Sequence, residues 1–142
     1  MNMKKKLGAL LSLSVLCASL IGISAATTVN GSSWAKVNYV NLPSGGGTTY
    51  RTDVRSKKTV AGSRGSMKAG YSAILYAYGR FIDTQKLDQS KAVTLRNTVV
   101  YPELYPTARD VGDILATKVS SNLLEPGRIE VSLKFSANYL NK

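Results

Sequence analysis

Histidine is absent from this 142-residue chain, and its single cysteine, Cys17, lies in an apolar stretch near the start. Without histidine there is no serine–histidine triad and no imidazole switch near neutral pH. Beyond position 17 there is no disulfide, no cysteine nucleophile and no Cys/His zinc site. Acids are also scarce: eight Asp and Glu stand against nineteen Lys and Arg, a formal charge of +11. A glycosidase needs two carboxylates facing each other across a cleft, and nothing in the order of the acids from Asp53 to Glu130 suggests such a pair. Asp110 and Asp113 lack the ligand-rich loop of a calcium site, and Asp110-Val-Gly-Asp113 reads as a turn. Ser33 and Lys36 stand at the spacing used by penicillin-recognising serine enzymes, but without the partner motifs or the helix start that this chemistry needs. The glycines after Ser44 lack the Gly-Lys-Ser/Thr ending of a phosphate loop. The expectation is a protein that is not an enzyme and uses no cofactor or metal.

What is present begins with a leader. Lys4, Lys5 and Lys6 precede an uncharged apolar run from Leu7 to Ile23, and Ser24-Ala25-Ala26 supplies small residues at a cleavage point. This predicts a signal peptide over residues 1–26, cleaved near Ala26, and a secreted or cell-surface product. The rival is an uncleaved anchor, for which a 17-residue run is short. Leu16 before Cys17, in mid-run, argues against a lipoprotein. Residues 27–33 read as a flexible lead-in and 34–142 as one domain. About 116 mature residues can bury roughly two thirds of their unfolded surface, enough for one core.

Alternation of apolar and polar residues gives the fold class. In Arg128–Ser136, Ile129, Val131, Leu133 and Phe135 share one face while Arg128, Glu130, Ser132 and Lys134 share the other. Glu125-Pro126-Gly127-Arg128 before it reads as a type II turn. Further strands are expected over Trp34–Leu42, Thr48–Lys57, Lys91–Val100 and Ile114–Ser121, with Leu115, Thr117 and Val119 on one side of the last. Ser44–Gly47 reads as a flexible hairpin connection. Met67–Ile82 reads as a long central strand, with Ala73, Leu75, Ala77 and Phe81 on one face and Ile74, Tyr76, Tyr78 and Ile82 on the other. Thr107–Lys118 has a weaker helical reading. The sum is a single antiparallel β-sandwich of six or seven strands, immunoglobulin-like but without the disulfide.

Two features bear on function. Arg51, Arg55, Lys57, Lys58, Arg64 and Lys68 are opposed only by Asp53, a local net charge of +5. This is either a solvated face or a site for polyanions such as wall polymers, anionic headgroups or extracellular nucleic acid, although no dedicated nucleic-acid motif is present. The second feature is eight tyrosines. Tyr101 and Tyr105 in YPELYP are candidates for stacking on a ligand, and Tyr76 and Tyr78 would project from one strand face, as contact residues or as the rim of a core.

The strand ending Asn41-Leu42-Pro43 before glycines, the Thr/Arg/Lys strand from Thr49 to Thr59, and the closing Phe135-Ser136-Ala137-Asn138 together resemble small secreted proteins of Gram-positive bacteria, mostly of unknown function. Those proteins tend to end in a Trp-Ser-Pro-Asp-like segment where this chain has Phe-Ser-Ala-Asn. The resemblance implies an exported β-sandwich and transfers no site residue. Three functions stay open: a non-enzymatic module binding an anionic envelope polymer or glycan, a bacteriocin-like antimicrobial or toxin, and an extracellular structural or assembly subunit.

Overall fold

In the computed structural model, residues 25–71, 73 and 75–141 are described. Residues 1–24 of the expected leader, and Ile74 of the expected central strand, lie outside them. The described chain forms strands β1 (Thr27–Asn30), β2 (Ala35–Leu42), β3 (Thr48–Lys57), β4 (Ser66–Tyr71), β5 (Tyr78–Ile82), β6 (Val93–Thr94), β7 (Ile114–Ser120) and β8 (Ile129–Ser136), with one 3₁₀ turn at Pro106–Ala108. They build a five-stranded sheet in the order β1-β3-β7-β5-β6 and a three-stranded sheet in the order β2-β8-β4. The all-β sandwich expected from the alternation is the architecture found.

The strict period of two in β8 explains its central place. Ile129, Val131, Leu133 and Phe135 point inward and are buried, while Glu130, Ser132 and Lys134 are exposed. Across the sheet, Ala35, Phe135 and Met67 stand in register, as do Val37, Leu133 and Ala69, so each inward row spans all three strands. From the opposite sheet Leu115, Thr117 and Val119 of β7 face this layer, all buried. Phe81 of β5 meets Phe135 edge-on, with ring centroids 6.2 Å apart and planes at 64°. Gly65 must be glycine here, because a Cβ would lie 2.4 Å from the Phe81 ring.

Several expectations are corrected. Met67–Ile82 is not one strand: its ends are β4 and β5, in opposite sheets. Apolar residues on both sides of this run reflect a crossing between two inner layers. Within it, Leu75 N–H donates to the buried Glu125 carboxylate (2.9 Å) and Ala77 N–H to the Tyr71 hydroxyl (3.2 Å). Lys91–Val100 shrinks to β6 for the same reason. Leu95 N–H bonds the Ala77 carbonyl, Arg96 O receives Ala69 N–H, and Val100 pairs with Met67 of the other sheet. Ser44–Gly47 is not a hairpin loop but joins the two sheets, and it is pinned: Gly45 N–H bonds Glu125 O and Gly46 N–H bonds Asn122 O, both at 2.9 Å. Gly127 has no positive φ, so the expected type II turn is absent; the chain turns at Asn122–Glu125 instead (3.0 Å). The Asp110–Asp113 turn is present, with Gly112 at φ 97°. The expected flexible lead-in contains β1, which runs parallel to β3, so the sandwich is not wholly antiparallel. Thr107–Lys118 carries only the 3₁₀ turn before β7.

The C-terminal Phe-Ser-Ala-Asn segment is a clamp. Ser136 Oγ donates to Gly31 O (2.6 Å), Ala137 N–H to Ser56 Oγ (2.8 Å) and Ser66 Oγ to Asn138 O (2.9 Å). Asn138 Oδ1 accepts from Thr59 and Val60 N–H, and its Nδ2 donates to Thr59 Oγ1 (2.7 Å). One short segment thereby ties both sheets and the β3–β4 connection.

Candidate functional site

The six basic residues from Arg51 to Lys68 do not form one surface. Arg51, on β3, is held by a two-pronged ion pair with Asp53 (2.7 and 2.8 Å) and donates to Tyr39 O (2.6 Å). The hydrogen bond between them lowers the Asp53 pKa and raises that of Arg51. Arg55 folds back on Thr52 O (2.9 Å) and Lys57 is exposed on the same strand. Arg64 is exposed, its backbone paired with Glu103. Lys58 is 1 % exposed and donates to Ala137 O at 2.6 Å. Burial pushes its ammonium below the usual lysine range, with Asp113 acting in the opposite direction. Lys58 therefore belongs to the C-terminal clamp and not to a ligand surface; its place in a basic run concealed an inward-facing lysine.

The two loop tyrosines also separate. Tyr101 stacks on Tyr139 (4.4 Å between centroids, 29°) and donates to Leu140 O (3.0 Å). Tyr105 precedes the 3₁₀ turn and lines a shallow depression with Glu103 and Arg109. Tyr78 is half-buried, its hydroxyl accepting from Asn122 Nδ2 (2.9 Å), whereas Tyr76 is 54 % exposed.

Lys68 alone of the six joins a larger constellation. It stands opposite Lys134 of β8, and Lys134 stands opposite Lys36 of β2. All three side chains leave the outer face of the three-stranded sheet, in one row perpendicular to the strands. Neighbouring strands are about 4.8 Å apart, so the row packs three positive charges onto roughly 10 Å of sheet. No carboxylate lies within 4.0 Å of any of them among the described residues. The nearest acid on β8 by position, Glu130, is four residues along, about 13 Å at strand rise. The row borders a depression of about 240 Å³ whose floor adds Asn38, Gly70, Asn97 and Ser132.

The other sheet treats the same problem differently. Arg80 and Lys118 are also directly opposed on neighbouring strands, β5 and β7. Asp88 bridges them, pairing with Arg80 and, at 2.8 Å, with Lys118. Desolvation opposes ionisation of Asp88, but the bonds from Lys118 and Arg80 prevail and lower its pKa. Like charges across a sheet repel; the five-stranded sheet cancels that repulsion with an acid and the three-stranded sheet leaves it standing.

Lys36 and Lys134 were outside the expected site because the chain separates them by 98 positions. Alternation places Lys134 on an outer face, but only the strand register brings it beside Lys36 and Lys68. Among the described residues no group of three acidic, histidine or cysteine side chains is placed to hold a metal ion. Comparison with known proteins returns no match: no family model, no curated protein and no solved structure is significantly similar to the chain.

Proposed function

We propose that the chain is a secreted, non-enzymatic module that binds an anionic polymer of the cell envelope through the outer face of its three-stranded sheet. The observation that carries this reading is the uncompensated row Lys36–Lys134–Lys68, set against the Asp88-bridged pair on the other sheet. A repeating anion laid along the row neutralises charges that the protein leaves unpaired. At about 1 kcal/mol per lysine near an anionic surface the row supplies roughly 3 kcal/mol, a millimolar contact by itself. Repeated engagement along a polymer, or further contacts beside the row, raises the affinity.

Retention of the purified protein on isolated cell walls tests the proposal. Lys36→Gln, Lys68→Gln and Lys134→Gln combined should abolish retention near physiological salt. Lys57→Gln, Arg64→Gln and Lys91→Gln, which removes the same charge from other exposed positions, should largely preserve it. Equal losses in the two triple variants would reduce the effect to net charge and overturn the proposal.

A further inference from the structure

Beside the lysine row lies a cleft of about 610 Å³ lined by Gly70, Tyr71, Leu75, Tyr76, Leu95 and Arg96, among others. Gly70 and Asn97 line both the cleft and the depression under the lysines, so the two adjoin. Gly70 pairs with Ser132, two residues along β8 from Lys134, and a Cβ built on Gly70 meets no atom within 4 Å. The surface above Gly70, where the two meet, is therefore unobstructed. From this geometry we infer that the polymer is a glycan bearing acidic groups, and that Tyr76 stacks on one of its sugar rings.

The inference rests on the lysine row as the anion site and adds the chemistry of the adjoining cleft. Tyr76 is 54 % exposed, and the Arg96 guanidinium lies 5.1 Å from its ring centroid. That cation fixes the ring and leaves much of its surface to solvent. A sugar ring has a face of C–H groups that packs on the electron-rich face of an aromatic ring. Around its rim are hydroxyls that need both donors and acceptors. Asn97 offers both: its side-chain amide makes no hydrogen bond among the described residues. The Tyr71 hydroxyl is already committed to Leu95 O and Ala77 N–H, so it shapes the wall and leaves recognition to Tyr76 and Asn97. A polyphosphate uses the lysines and has no ring for Tyr76. Single-stranded nucleic acid is bound by successive aromatic platforms, and this cleft presents one exposed ring. The combination of one ring, a free amide and a cationic row fits an acidic polysaccharide best.

Three probes separate the possibilities in binding titrations with the purified protein: polygalacturonate, long-chain polyphosphate and oligo(dT). Tyr76→Ala should weaken polygalacturonate binding about fivefold or more, while polyphosphate binding changes less than twofold. Tyr76→Phe keeps the ring and should retain polygalacturonate affinity. The triple lysine variant should weaken both polymers. Unchanged polygalacturonate affinity in Tyr76→Ala, or an equal loss for both polymers, overturns the inference while leaving the lysine site standing. Tighter, Tyr76-dependent binding of oligo(dT) would assign the cleft to nucleic acid and overturn it too. Indifference of every probe to the lysine variant, or binding of none, would bring down the underlying site as well.

Discussion

Lys134→Gln should make the free protein more stable and its polymer binding weaker. The substitution keeps most of the side chain's length and removes the central charge of the row. Directly opposed Cβ atoms are about 5 Å apart, and two unit charges at that distance repel by about 0.8 kcal/mol in water. Lys134 faces two such neighbours, Lys36 and Lys68. At 0.15 M salt, with a screening length of about 8 Å, each repulsion falls to roughly half. The expected gain is then about 0.8 kcal/mol, or about 3 °C in Tm for a domain of this size. At 0.01 M salt the screening length is about 30 Å and the gain rises to about 1.4 kcal/mol. At 1 M salt it is about 3 Å and the gain nearly vanishes. Splaying of the lysine arms lowers these figures, so they are ceilings.

Thermal unfolding followed by circular dichroism at the three salt concentrations is the assay. Lys57→Gln is the control, because Lys57 is exposed and pairs with Ile114 and Asn30 in place of other charges; its Tm should hardly move. The same variant of Lys134 should lose about fivefold in polymer affinity, the equivalent of about 1 kcal/mol. No gain in Tm at low salt, or an equal gain at every salt concentration, would refute the electrostatic reasoning. The first outcome means that the row is not strained by charge, and the second that packing or strand propensity produced the change.

Other consequences follow from the core and the clamp. Lys58 has a folded pKa below its ordinary value of 10.5 because it is buried. Between its folded and unfolded values the unfolded chain binds more protons, so this group's contribution raises stability as pH rises through the window and saturates above the unfolded value. Urea unfolding between pH 8 and 10.5 should show this rise in the wild type relative to Lys58→Met; parallel curves would refute it. Asn138→Ala deprives Thr59 and Val60 N–H of their acceptor and should cost about 2–3 kcal/mol in urea unfolding; a loss below about 0.5 kcal/mol would show that the clamp is dispensable. Thr117 Oγ1 is buried in β7 without a partner among the described residues, so Thr117→Val should stabilise the protein by about 1 kcal/mol in the same measurement; destabilisation would mean that the hydroxyl is satisfied.

Period-two alternation made the strands legible where a strand has one wet face. β3 begins and ends where the sequence places it, and β2 and β8 differ from expectation by a single residue at their starts. Alternation is uninformative where segments pass between sheets. The segments between β4 and β5 and after β6 pass from one sheet to the other, and no local period distinguishes such a crossing from a strand buried in a sheet. Glu125 stands in a turn signal, yet its buried carboxylate holds Leu75 N–H, a contact across 50 positions. The site was half-legible for the same reason. A run of basic residues is visible in the sequence, but burial withdraws Lys58, Asp53 engages Arg51, and the row uses Lys68 with partners from the two ends of the domain. Register is a property of the folded sheet and leaves no mark on spacing along the chain.

Lysines at sheet edges serve a purpose without any ligand, since they discourage pairing with another chain. β2 is an edge of the three-stranded sheet and Lys36 fits that purpose, whereas the outer side of β4 is already bonded by Val100 and Arg96. Lys134 does not fit it, because β8 is central and paired on both sides. The same outer face of β8 carries Ser132 and Glu130, so the strand accepts neutral and acidic side chains there. An acid at position 134 would tie Lys36 to Lys68 as Asp88 ties Arg80 to Lys118. A lysine instead sets three like charges side by side on an outer face, bordering a depression that shares Gly70 and Asn97 with the Tyr76 cleft. Such a residue is better explained by what the surface holds than by what the sheet requires, and the opposed effects of Lys134→Gln on stability and on binding express that difference.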